Sequence, residues 1–125
     1  MIRLIFSLFI LNSAFGFAQK AEFKFLTPTI HDWGKVEEGG VLEHYFVFQN
    51  IGQEPLVINE TMVACHCTTV KFPTYPILPQ KTDSILVQFD TNKTYYRQNR
   101  AIIIKSNTKK NEKLVIKTFV IPKED

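Results

Sequence analysis

Cys65-His66-Cys67 is the one local grouping whose residue types could carry chemistry by themselves. On a straight strand, residues two apart share a face and their Cα atoms lie about 6.6 Å apart, close to the upper limit of about 6.8 Å for a disulfide. A turn at His66 would shorten that gap. Three uses remain open for the pair: a small structural disulfide, a soft-metal site, or a thiol-redox couple. Two thiolates at Cys65 and Cys67 could hold copper(I) or supply half of a zinc shell, but Cys-x-Cys alone lacks the remaining ligands of a closed site. In an extended segment His66 points away from both sulfurs, so a Cys-His-Cys ligand set requires the chain to bend.

The other candidate groups are less concentrated. His44 falls on the same alternating face as Phe46 and Phe48, which is the position of a hydrogen-bonded, part-buried histidine rather than of a metal ligand. His31 and Asp32 are neighbours on a strand pattern and face opposite ways, so Asp32 is expected to accept turn hydrogen bonds at a surface edge. Tyr95-Tyr96-Arg97, flanked by Lys93 and Arg100, has the composition of a contact patch for a glycan, a peptide or an envelope protein. The lysines that follow, from Lys105 to Lys117, are expected to guard sheet edges. Hydrolytic chemistry is poorly supplied: past residue 18 the only serines are Ser84 and Ser106, with no nucleophile elbow, zinc helix or phosphate loop. No catalytic residue and no cofactor is therefore assigned.

These residues sit on a chain built almost wholly from period-two segments. Leu42, His44, Phe46 and Phe48 alternate with Glu43, Tyr45, Val47 and Gln49; Ile85, Val87 and Phe89 alternate with polar partners. Further short strands are expected at 22–25, 30–36, 55–59, 101–105 and 114–121, and no segment keeps a helical period. The Asn50-Ile51-Gly52 turn is expected to use positive φ. Pro73, Pro76 and Pro79 exclude a central strand across the stretch that holds them. Six or seven strands with regular turns give an all-β, two-sheet sandwich.

The first 18 residues belong to a different physical class. A short positive start at Arg3, an apolar run over 4–15 and the small residues Gly16 and Ala18 form a secretory signal cleaved after Ala18. The run is shorter than the roughly 18 to 20 apolar residues of a membrane span, so none is expected after cleavage. One domain, residues 19–125, remains of the 125. Arg3 leaves with the signal, so 14 of the 15 Lys and Arg face all 12 acids, a net charge of +2 that steers no partner strongly. Export also places the thiols where disulfides persist and the basic residues away from nucleic acid.

Seven pieces in order resemble the exported bacterial family called domain of unknown function 1573. They are His31-Asp32-Trp33-Gly34-Lys35-Val36, the stretch from His44 to Gly52, Pro55-Leu56-Val57-Ile58, Ala64-Cys65-His66-Cys67-Thr68, Pro76-Ile77-Leu78-Pro79, Val87-Gln88-Phe89-Asp90 and Ser106-Asn107. The resemblance implies an immunoglobulin-like antiparallel β-sandwich of about seven strands, akin to the Hydin, major sperm protein and pilus-chaperone domains, in the periplasm or outside the cell of Bacteroidetes. It implies no reaction. Two positions depart from the family pattern, His66 and Gln80, both where Gly is usual. The expected role is a non-catalytic module that pairs a free edge strand with an envelope or extracellular protein. The alternative is a copper-binding or thiol-redox protein working through Cys65 and Cys67.

Overall fold

The computed structural model describes residues 20–124, so the expected signal over 1–18 lies outside the described residues. Among the described residues eight strands form two four-stranded sheets: β1 (Phe23–Phe25), β2 (Ile30–Glu37), β3 (Val41–Asn50), β4 (Ile58–Val63), β5 (Thr68–Lys71), β6 (Thr82–Asp90), β7 (Tyr96–Ser106) and β8 (Glu112–Ile121). The first sheet has the order β1-β3-β6-β5 and the second β2-β8-β7-β4. Neighbours are antiparallel except β2 and β8, which run parallel. No helix among the described residues is long and apolar enough to cross a membrane.

The alternation in the sequence becomes the interior. Phe46, Phe48, Ile85, Val87 and Phe89 from the first sheet meet Ile102, Ile104, Leu114 and Ile116 from the second, all essentially without solvent contact. Each such side chain stabilises the fold by about 1.5–3 kcal/mol relative to exposure, which is why the period-two face fixes the register of every long strand.

Three departures from the sequence expectation have physical causes. Leu56, expected in a strand at 55–59, instead makes a lone bridge to Ile77, with N–H to carbonyl bonds of 2.8 Å in both directions, and β4 proper runs from Ile58 to Val63. β7 begins at Tyr96 rather than 101, because pairing with β8 carries the polar stretch Tyr96–Arg100 along as strand. Lys105, Lys113 and Lys117 lie on β7 and β8, the central strands of the second sheet, and so do not guard its edges. They coat its outer face.

The Asn50-Ile51-Gly52 turn also differs from expectation, since neither Asn50 nor Gly52 is left-handed. Glycine is required there by contact: a Cβ on Gly52 would fall 1.9 Å from the Lys20 carbonyl oxygen. The Asn50 amide, 0% exposed, stitches this corner. Its Oδ1 accepts from the N–H of Glu22 (3.2 Å) and Gly52 (2.9 Å), and its Nδ2 donates to the carbonyls of Glu54 (2.8 Å) and Ile77 (2.9 Å). All four of its hydrogen-bonding positions are thereby satisfied.

Candidate functional site

β4 is an edge of the second sheet and β5 an edge of the first, so the chain changes sheets between Val63 and Thr68. The cysteines occupy that corner. A turn at His66 and Cys67 brings the two Cα atoms to 5.2 Å, and the sulfurs are joined at 2.10 Å. The Cys67 N–H points back to the Cys65 sulfur (3.2 Å), and the Thr68 N–H donates to the Cys65 carbonyl (3.2 Å). The Cys67 carbonyl accepts from Asp90 N–H (2.8 Å), which locks the corner to the end of β6. Both cysteines are half-buried, Cys67 packs against the core, and His66 projects into solvent without left-handed backbone. Joined sulfurs are not thiolates, and among the described residues no three His, Cys, Asp or Glu side chains converge as a metal site.

Beside this corner β4 has, among the described residues, a strand partner on one side only. Its pairing with β7 shifts register between Ile58 and Glu60 and is regular from Glu60 to Val63. That stretch contains no proline or lysine, and Met62 and Val63 stay 45% and 39% exposed. The other edges are less available. β1 and β5 are three and four residues long, and β2 is broken by a register shift between Asp32 and Lys35. There Gly34 adopts φ 75° and its N–H is taken by Asp32 Oδ1 at 2.8 Å, the turn bond expected of Asp32.

The two other histidines come together in an arrangement the sequence did not suggest. His31 of β2 and His44 of β3 bridge the sheets as a parallel stack, ring centroids 3.6 Å apart and planes 8° apart, with Trp33 and Phe46 edge-on. Burial, and next the proximity of His31, hold the His44 imidazole below its ordinary 6.5. Strand alternation had placed His44 on the inner face; it could not show that His31 would meet it from the other sheet.

Tyr95, Tyr96 and Arg97 lie where β7 begins, all exposed. The Tyr96 ring meets Phe119 of β8 edge-on at 6.0 Å, and Arg97 is the direct cross-strand neighbour of Phe119. Phe119 and Lys117 were missed as site residues. The available signal was an aromatic ring on the lysine-bearing face of the last strand.

No curated protein matches this chain. Among solved structures, a protein of unknown function from Porphyromonas gingivalis W83 superposes with a TM-score of 0.70 at 17% identity, over 82% of this chain and 48% of that one. This chain thus spans about half the length of that relative. The ASH/PapD-like domain 7 of human CEP192 gives a TM-score of 0.62 at 9% identity, over 86% and 89% of the two chains. The periplasmic chaperone SfaE gives 0.56 at 11% identity, over 82% and 58%. At such identities the likeness is one of fold, an immunoglobulin-like β-sandwich of the PapD kind. The family described as "Protein of unknown function (DUF1573)" matches residues 23–120, nearly every strand just described, and the chain belongs to it.

Proposed function

We propose that this chain is an exported, non-catalytic interaction module that binds an envelope or extracellular protein by accepting an extended segment along β4. The observation that carries this reading is the regular, uncharged run Thr61–Val63 at an open sheet edge. Edge strands are ordinarily protected by lysine, proline, bulges or shortness. β1 and β5 are short and β2 is broken by its bulge; β4 also shifts register, between Ile58 and Glu60, but beyond the shift its run Thr61–Val63 carries neither lysine nor proline and leaves Met62 and Val63 exposed. An added strand would gain main-chain hydrogen bonds for affinity, while Met62 and Val63, on opposite faces, would select its alternate side chains. The joined cysteines serve this edge structurally, since they fix where β4 ends and where the chain enters the other sheet.

The test is a photo-crosslinking residue placed at Met62 and, as a control, at Tyr45, which is exposed on the outer face of the first sheet, in cells that export the protein. One and the same protein should crosslink from position 62 and not from 45, and Val63→Lys should abolish its binding with the fold intact. Crosslinking from both positions alike, or binding indifferent to Val63→Lys, would remove the edge from the account.

A further inference from the structure

We propose a second binding site, independent of β4: a cleft on the outer face of the second sheet that takes an acidic oligosaccharide. Cross-strand register puts two rows of side chains there, Asp32–Lys117–Asn99 and Lys35–Phe119–Arg97, drawn from β2, β8 and β7. Neighbouring strands lie about 4.8 Å apart, so each row offers three adjacent contacts to a ligand lying across the sheet. The bulge in β2 opens the surface between them. Gly34 lines the opening, and a Cβ built on it would meet nothing within 4 Å. The resulting cleft is shallow and holds about 250 Å³. That lies just below the usual span of ligand sites, about 300–1,000 Å³, and admits a sugar ring rather than a protein domain.

The lining selects the ligand. Three cations against one carboxylate favour an anion, and a guanidinium beside an ammonium is suited to a carboxylate. Asp32 and Asn99 offer an acceptor and an amide for hydroxyl groups. Phe119, 37% exposed at the centre of the second row, presents an aromatic surface to the C–H face of a pyranose. β7 and β8 are paired on both sides, so a peptide lying across them would find only side chains and no free backbone.

A strained residue points to the same place. Tyr96 shares its register row with Val120, which is fully buried, yet Tyr96 is 59% exposed. Its φ of 65° is a left-handed conformation that a bulky residue rarely adopts, and its ring extends the Phe119 surface. Such strain gathers at binding sites because other interactions must hold it.

Calorimetric titration of the purified protein with hexagalacturonate tests the proposal, with cellohexaose and hexaglutamate as controls. Hexagalacturonate should bind saturably at one site, with each control roughly tenfold weaker or more, and Phe119→Ala and Arg97→Ala should each cost roughly tenfold. Val63→Lys should change nothing, which separates this site from the edge. If Phe119→Ala impairs folding, Lys117→Glu on the same surface decides the matter. No saturable binding of hexagalacturonate overturns the proposal. Equal binding of hexaglutamate, insensitive to Phe119→Ala, overturns it too, leaving a plain charged patch, and so does equal binding of cellohexaose.

Discussion

Replacing Asn50 by Ala removes four hydrogen bonds at once from the corner that joins β1, β3 and the Leu56–Ile77 bridge. The losses are unequal. The Ile77 carbonyl keeps the Leu56 N–H as a partner, and Glu54 is exposed and can be hydrated, so these two cost about 0.5 kcal/mol each. The Glu22 N–H, on an exposed residue, likewise costs about 0.5 kcal/mol, whereas the buried Gly52 N–H loses its Oδ1 partner at about 1–2 kcal/mol. The expected destabilisation is about 2.5–3.5 kcal/mol, a large share of the roughly 5–15 kcal/mol that holds a domain of this size. Urea unfolding followed by tryptophan fluorescence would read this as a midpoint lowered by about 2 M at an ordinary slope of about 1.5 kcal/mol per M. Asn50→Asp keeps the acceptor but turns a carboxylate oxygen toward two carbonyls, so it should be at least as damaging at neutral pH and partly recover in acid as the group protonates. A loss below about 1 kcal/mol for Asn50→Ala would refute the reasoning, because it would mean that these groups find other partners without cost.

Three further outcomes are expected. Gln80 holds φ at 69° while its N–H donates to the Asn50 carbonyl at 2.7 Å, so Gln80→Gly should relieve left-handed strain and raise stability by about 0.5–1 kcal/mol in the same assay. The His44 imidazole, held below 6.5 in the folded state, makes the unfolded chain bind more protons as pH falls; its contribution is complete above 6.5 and is lost as pH drops from there through the folded value. Melting temperatures at pH 7.5 and 5.5 should therefore differ more for the native protein than for His44→Gln; equal differences would contradict the stack's role. Intact-mass measurement should give a chain beginning at Gln19 that gains two hydrogens on reduction, and Cys65→Ser with Cys67→Ser should cost about 1–2 kcal/mol, the entropy of a very short loop. A native sample carrying stoichiometric copper would instead favour the alternative use of the pair.

The sheets were legible in the sequence because alternation is a local property: Phe46, Phe48, Ile85, Val87 and Phe89 announce their burial from spacing alone. What eluded sequence reasoning depends on pairing between distant segments. The parallel match of β2 with β8, the extension of β7 back to Tyr96, and the central place of the lysine-bearing strands follow from the order of strands in the sheet. Gly52 looked like a residue chosen for positive φ and proves to be one chosen for the space beside Lys20. The reverse holds at Gln80, where a side chain occupies a left-handed position. The candidate sites divide in the same way. The cysteine corner is readable from three adjacent residues, whereas the cleft assembles Asp32, Lys117, Asn99 and Arg97 from three strands and has no local signature.

Edge pairing at β4 is examined most directly by amide hydrogen exchange, measured residue by residue on the free protein and on its complex with the partner captured at position 62. The outward amides between Glu60 and Val63 should exchange readily in the free protein, well ahead of those in β7 and β8, and should slow by roughly tenfold or more in the complex. Protection that appears elsewhere on the surface while β4 exchanges unchanged would contradict the account.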